Sequence, residues 1–321
     1  MIKCIAIVGP TASGKTSLGV AVAALFGGEV VNCDSMQIYK YMNIGTAKPT
    51  EEEMAGVRHH MLDFLSPLES FSAEAYREGA MAAITDISER GGLPVIVGGT
   101  GLYLDTLLRN PAPTVDASSA EYREKILKDI KDTDDRHRLW LRLLEIDPDS
   151  AEKIHENNVK RVIRAIEIYE TTGKPKSYWD SLTKLTKSEL DVKIIALTFH
   201  NRETLYERID KRVDFMFDMG LLCEVESLYS LGYLCEPATA SSAIGYKELV
   251  AYIDGKCTLD EAKEKIKLSS RRYAKRQLTW FRHESTAVPL YIDDESGSIR
   301  DKEALTAEAK QIITEFLEEH K

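Results

Sequence analysis

The sequence predicts an α/β fold, a parallel sheet carrying an inserted all-helical domain, and three observations lead to it. Apolar, β-branched runs recur at 2–8, 29–33, 94–97, 192–199 and 288–292, with helical patterns between them. The first run, IKCIAIV, leads directly into GPTASGKT. Residues 113–191 show helical periodicity with no strand signal, too long a stretch for a loop.

Taken in order, residues 2–8 read as a buried strand, and 15–25 as a helix with Leu18, Val22 and Leu25 on one face. Between them, Gly9, Pro10, Thr11, Ala12, Ser13, Gly14, Lys15 and Thr16 match G-x-x-x-x-G-K-[ST]. In that pattern backbone amides wrap phosphate oxygens, the lysine neutralises charge and the hydroxyl holds Mg²⁺. The core is therefore P-loop NTPase-like. Kinases, ATPases and GTPases share such a loop, so it names a diphosphate and no reaction. The second run (EVVNC) ends in Asp34, and the third (PVIV) ends in GGTGLY. Prolines 111 and 113 mark the start of the insertion, which contains AEYREKILKDI, HRLWLRLLEI and NVKRVIRAIEIYETTG. After the fourth strand come RETLYERIDKRV, a basic helix within 258–283, a fifth strand and a terminal helix over 302–320. The expected division is 1–112, 113–191 and 192–321. No internal repeat or low-complexity linker is evident.

With 321 residues and 43% hydrophobic content the chain can bury a substantial core. Its apolar runs are strand-sized and its start lacks a basic region with a cleavage site, so neither a membrane span nor a signal peptide is expected, and the cytoplasm is the expected compartment. Five cysteines without C-x-x-C spacing argue against a disulfide framework or zinc ribbon. A formal charge of −10 argues against nucleic-acid binding by the whole surface. Residues 262–283, however, hold eight Lys or Arg against one Glu, interleaved with Tyr273, Trp280 and Phe281. That pattern suits a phosphate backbone and stacked bases; the alternative is a solvated basic face.

In a parallel α/β sheet ligands bind beyond the carboxyl ends of the strands, which singles out the residues there. Asp34 reads either as a Mg²⁺ carboxylate of Walker B form or as a general base. Ser35, Met36 and Gln37 follow it, and the Gln37 amide offers a donor and an acceptor to an adenine edge. The glycines around Thr100 permit close approach of a ligand or merely a tight turn. Arg208 and Arg212, four apart on one helical face, read as a clamp on a leaving pyrophosphate or as a salt-bridge helix with Glu207 and Asp210. His59 and His60 lack a third ligand at useful spacing, so a metal site is not expected there.

The blocks GPTASGKT, CDSMQIYKYMNIGTAKP, HHMLDFLSP, PVIVGGTGLY, IDPDSAEKIHENNVKRVIRAIE, AIGYKEL and AKRQLTWFR, in this order from residue 4 to about 283, resemble the tRNA dimethylallyltransferases of bacterial type. The resemblance implies transfer of a dimethylallyl group from dimethylallyl diphosphate to N6 of the adenosine 3′ of the anticodon, in tRNAs reading codons that start with U. It implies Lys15 and Thr16 at the diphosphate and Mg²⁺, Asp34 as the base, and Thr100 and Arg212 near the leaving-group oxygen. It also implies tRNA contacts from Asp34–Gln37, from Asn158, Val159, Lys160, Arg161 and Val162 in the insertion, and from the Ser242–Lys247 region, Gly245 and Lys247 included. Lys275, Arg276, Gln277 and Arg282 of the basic helix are added to that surface. Helix 158–169 starts NNVKR where family members often carry Asn-Asp before the arginine, and the chain ends without the zinc finger of some eukaryotic relatives. A monomer is expected. A free-nucleotide adenylate isopentenyltransferase and a P-loop small-molecule kinase are the rival readings.

Overall fold

The computed structural model describes residues 1–109, 126–127, 130, 132–185, 188–235 and 239–319. They form two compact units, Met1–Leu107 with Glu189–Lys321, and Leu108–Ser188.

The first unit is built on a six-stranded parallel sheet: β1 Ile2–Val8, β2 Glu29–Asn32, β3 His59–His60, β4 Pro94–Gly98, β5 Leu190–Thr198 and β6 Ala287–Tyr291, in the order β3-β2-β4-β1-β5-β6. Its register places Val8 beside Gly98 and Ala196, so the carboxyl ends of β4, β1 and β5 finish together. The central strands are buried and read as continuous apolar runs, as expected of a parallel sheet covered on both faces. Strand β3 is too short and too polar to be visible in the sequence; His60 Nε2 there lies 2.6 Å from a Glu29 carboxylate oxygen, and His59 Nδ1 meets the Val57 carbonyl at 2.8 Å. Both histidines are thus engaged by protein groups.

The helices of this unit are α1 Lys15–Phe26, α2 Glu51–Met54, α3 Ala73–Glu89 and α4 Gly101–Leu108, which ends at the boundary of the units. In α1, Leu18 and Val22 are buried as expected, whereas Leu25 is 50% exposed, because Val20 and Ala23 complete the inward surface instead.

The second unit holds α5 Thr133–Ile146, α6 Pro148–Lys153, α7 Val159–Thr172 and α8 Lys176–Leu185. Its core gathers Leu143, Ala151, Ile154, Val162, Ala165 and Ile166, with Trp140 donating to the Ile154 carbonyl at 2.8 Å. Asp147 caps α6 through Ser150 N–H and also accepts from Ser177 N–H, tying α8 to the α5–α6 corner. Prolines 111 and 113 and most of AEYREKILKDI lie outside the described residues.

The first unit resumes with α9 Arg202–Asp218, α10 Leu221–Ser230, α11 Tyr246–Ile253, α12 Leu259–His283 and α13 Lys302–Glu318. A capping box between Thr258 and Glu261 starts α12. Helices α9 and α12 are stitched by Arg271 to Asp210 (2.6 Å) and by Lys263 and Lys267 to Asp214 (2.9 and 3.0 Å). No helix of the described residues is long and apolar enough to cross a membrane.

Candidate active site

The loop after β1 turns into α1 through Gly14, whose φ of +87° is a left-handed conformation that favours glycine. The first amides of α1 have no partner within the helix and point toward the loop, which is the elementary basis of anion binding there. Lys15 folds back so that Nζ donates to the Pro10 carbonyl at 3.4 Å. Arg208 Nε donates to the Ala12 carbonyl at 2.9 Å, which fastens α9 to the loop. Meanwhile Glu207 lies by Lys211 and Asp210 by Arg271, so these carboxylates pair with residues other than Arg208 and Arg212.

Asp34 follows β2 in a turn laced to the end of β4. Asp34 Oδ1 accepts from Met36 N–H at 3.0 Å, and Thr100 Oγ1 accepts from Ser35 N–H at 3.0 Å and donates to Ser35 Oγ at 3.3 Å. Thr100 N–H in turn donates to the Cys33 carbonyl at 3.1 Å. Electrostatics tie these groups together. Burial lowers the Lys15 ammonium to about 8; the Asp34 carboxylate opposes this and the Arg212 guanidinium adds to it. Burial likewise lowers Arg212, again opposed by Asp34. Burial, with the charge of Asp34, pushes the Tyr273 hydroxyl up, while a hydrogen bond with Thr100 opposes the shift.

Two cavities meet here, and Thr11, Lys15, Asp34, Arg212 and Met216 line both. One, about 460 Å³, is walled by Ser35, Met36, Gly245, Lys247, Arg272 and Tyr273 among others; Arg276 and Gln277 also reach it. The other, about 930 Å³, runs from Thr16 and Gln37 past Phe215 and Met219 and is the more apolar.

A Mg²⁺ ion would fit the first turn of α1. Thr16 and Asp34 line one small recess together with Asn32 and Gln37, and no cluster of His, Cys, Asp and Glu competes among the described residues. Few oxygen donors, completed by phosphate and water, are what this cation prefers.

Several expectations need correction. Gln277 does not present itself to a nucleic acid: it is 4% exposed, with Oε1 accepting from Thr11 N–H and Nε2 donating to the Gly99 carbonyl, each at 2.9 Å. The Gln37 amide donates to the carbonyls of Thr46 and Ala47 at 3.1 and 3.0 Å, and the residue lines the cavity beside the phosphate loop rather than the one walled by Arg272 and Tyr273. Val162 is 1% exposed in the core of the second unit, because it lies on the inward stripe of α7; Asn158, Lys160 and Arg161 are exposed there and Val159 is half-buried. Phe281 is buried and Trp280 donates to Asp105 at 3.0 Å while lying against Gly101, so of the three interleaved aromatics only Tyr273 lines the cavity, with Arg276 over its ring at 5.5 Å. Lys247, Lys275, Arg276 and Arg282 are exposed, and Gly245 is buried as the N-cap of α11. Arg272 was not singled out by the sequence. Its signal was its place one turn before Arg276, on the side of α12 opposite the ion pairs to α9.

The IPP transferase family model matches residues 37–284. The chain belongs to that family. It is 48% identical to a tRNA dimethylallyltransferase of Caldanaerobacter subterraneus over 294 residues, 91% of this chain and 93% of the relative, and 49% identical over 293 residues to one of Bacillus cereus, covering 91% and 90%. Among solved structures it is similar to the full-length tRNA isopentenylpyrophosphate transferase of Bacillus halodurans, at 41% identity and a TM-score of 0.73 over 99% of this chain and 98% of the other. It is also similar to a eukaryotic dimethylallyltransferase acting on tRNA, at 32% identity and a TM-score of 0.80, covering 99% and 80%. As an IPP transferase, the chain is an enzyme of the prenyl-transferring class on an α/β core, and its phosphate loop, residues 9–16, lies N-terminal to the matched region.

Proposed function

We propose that this chain transfers the dimethylallyl group of dimethylallyl diphosphate to N6 of the adenosine 3′ of the anticodon in tRNAs reading codons that begin with U. Diphosphate leaves and N6-isopentenyladenosine is formed. The observation that carries this reading is the junction of two cavities at Lys15, Asp34 and Arg212. One cavity is rimmed by basic residues of α12 and suits an extruded base; the other, the more apolar of the two, opens beside the phosphate loop.

An exocyclic adenine amine is a weak nucleophile, because its lone pair is delocalised into the ring. The electrophile must therefore ionise substantially. As the C1–O bond breaks, negative charge gathers on the diphosphate, where Lys15, Arg212 and the α1 amides are already placed; Arg208 holds the loop from behind through Ala12. A Mg²⁺ ion held by Thr16 and the diphosphate would neutralise further charge on the leaving group. Thr100 and Arg212 stand near the leaving-group oxygen in this reading, with Thr100 also fixing the turn that presents Asp34. The N6–C1 bond forms as Asp34 accepts the N6 proton. The target base must leave the anticodon stack to reach the cleft; exposed cations on α12 are proposed as tRNA contacts of the first unit, and Asn158–Arg161 are proposed, by themselves, as tRNA contacts of the second.

Labelled dimethylallyl diphosphate, incubated with the protein and bulk tRNA, AMP or ATP in parallel, tests the proposal. Label in tRNA is expected. Label in AMP alone selects an adenylate isopentenyltransferase, and phosphate gain by a small molecule at the expense of ATP selects a kinase. Asp34→Asn should lower single-turnover transfer roughly 10²- to 10⁴-fold at saturating Mg²⁺; substantial rescue by raising Mg²⁺ would instead make Asp34 a metal carboxylate.

A further inference from the structure

Residues 43–48 contribute to the walls of both cavities: Gly45 and Thr46 on the basic side, Asn43, Ile44, Thr46 and Ala47 on the apolar side. The same loop supplies the two carbonyls that hold the amide of Gln37. A loop in this position must be fixed to within a fraction of an ångström if both substrates are to meet, yet it contains no regular secondary structure. Bonds within the loop and from Lys48 to the Tyr39 carbonyl give it its shape, and its anchor to the rest of the unit at 43–45 comes from α10, far away in sequence. Glu224 Oε2 accepts from the N–H groups of Asn43 (3.0 Å) and Ile44 (2.8 Å), and Oε1 accepts from Gly45 N–H (3.2 Å) and from the Tyr246 hydroxyl (2.6 Å). Three successive amides converging on one anion form a nest of the kind that binds free anions elsewhere, here filled by the protein's own carboxylate. Gly45 fits because its missing Cβ would lie 2.5 Å from the Tyr246 ring, so phenol, carboxylate and loop close on one another.

We propose that Glu224, seated by Tyr246, is a positioning residue for the transfer reaction: its carboxylate sets the 43–48 loop, which walls both cavities, and, through Thr46 and Ala47, the orientation of Gln37 in the cavity beside the phosphate loop. The inference rests on the reading given under Proposed function. Its chemistry makes a specific demand, four donors on two oxygens. Glutamine meets it poorly: an NH₂ in place of Oε2 faces the N–H groups of Asn43 and Ile44, and one in place of Oε1 faces Gly45 N–H, even though the Tyr246 hydroxyl can turn to accept.

The test is chemical rescue. Wild type, Glu224→Ala, Glu224→Gln and Tyr246→Phe are compared by circular dichroism, melting temperature and transfer to tRNA, with formate or chloride at equal ionic strength. Glu224→Ala is expected to lose on the order of 10²-fold in kcat/KM, the cost of a misplacement of about 1 Å, with the loss in kcat exceeding the change in KM for either substrate. Formate should restore at least fivefold by refilling the nest, while leaving wild type and Glu224→Gln unchanged, because the glutamine side chain still occupies the space. Tyr246→Phe, which removes one of the four donors, should lose less than Glu224→Ala. A folded Glu224→Ala with wild-type kcat, or one that formate does not rescue, overturns the inference. So does failure of both Glu224 variants to fold, which makes the carboxylate a folding element. If wild type itself does not prenylate tRNA, the function reading and the inference that rests on it both fall; an active wild type with unaffected variants removes the inference alone.

Discussion

Replacing Gln277 by alanine separates two roles that its place on a basic helix confounds. The side chain closes two hydrogen bonds of 2.9 Å, from Thr11 N–H and to the Gly99 carbonyl, and is almost wholly buried. Truncation leaves one backbone donor and one backbone acceptor without partners. Each unsatisfied group costs about 1–3 kcal/mol, or about 2–6 kcal/mol for the pair. Because Thr11 and Gln277 line the basic cavity, water can reach the space the side chain vacates and the lower end, about 2 kcal/mol, is expected. For a unit of this size that corresponds to a fall of about 4–8 °C in melting temperature. The functional consequence should fall on the diphosphate, since Thr11 belongs to the phosphate loop: KM for dimethylallyl diphosphate should rise while tRNA affinity in a filter-binding assay stays within about twofold of wild type. Gln277→Glu should retain the contact to Thr11 but face the Gly99 carbonyl with an oxygen, and is expected to be no better than alanine. A Gln277→Ala protein that melts like wild type, keeps its KM and loses tenfold in tRNA affinity would refute this and restore Gln277 to the RNA surface.

Two further outcomes rest on the same geometry. Since burial holds the free-state ammonium of Lys15 at about 8, below its ordinary 10.5, the loop loses its charge as pH rises through 8. The dissociation constant for the isoprenoid diphosphate should therefore rise about tenfold per pH unit above 8, until the higher value imposed by the bound anion is reached; titration calorimetry at several pH values should show the inflection, and its persistence in Lys15→Met would assign it elsewhere. Gly101→Ala would place a Cβ 2.4 Å from Cδ2 of Trp280, an indole already held by Asp105, and should cost about 1–3 kcal/mol; adding Trp280→Ala should not cost the sum of the two single changes, and strict additivity of the melting data would refute the clash.

The sheet was largely legible because buried parallel strands are written as continuous β-branched runs, and because GPTASGKT marks the first of them as a strand that turns through a phosphate loop into a helix. Strand β3 was not: His59 and His60 carry no apolar signal, and they pair with β2 only because Val30 and Val31 offer an edge. At the site, Lys15, Asp34, Arg208 and Arg212 were legible from type and spacing. The side-chain partners were not. Whether Gln277 or Gln37 faces outward depends on which backbone groups lie opposite, and the Thr11, Gly99, Thr46 and Ala47 groups that decide it come from loops whose course no spacing encodes. The glycines of GGTGLY illustrate the same limit. The sequence suggested that they admit a ligand or a turn, whereas Gly99 and Gly101 admit the side chains of Gln277 and Trp280 from α12.

Helix α12 also resolves how a chain of net charge −10 presents a basic surface at all. Its cations sort by helical period. Lys263, Lys267 and Arg271, at successive intervals of four, are neutralised by Asp214 and Asp210 of α9, whereas Arg272, Lys275, Arg276 and Arg282 are exposed. The paired face is what holds α9, and with it Arg208 and Arg212, against the phosphate loop; the exposed face is what an RNA backbone would meet. Between the faces, Gln277 reaches the phosphate loop and Tyr273 lines the basic cavity. One rigid element thus fixes the diphosphate side and the base side relative to each other. Since transfer requires N6 and C1 to approach within about 3–3.5 Å in the right orientation, a shared frame of this kind contributes to the rate even through residues that touch neither reacting atom.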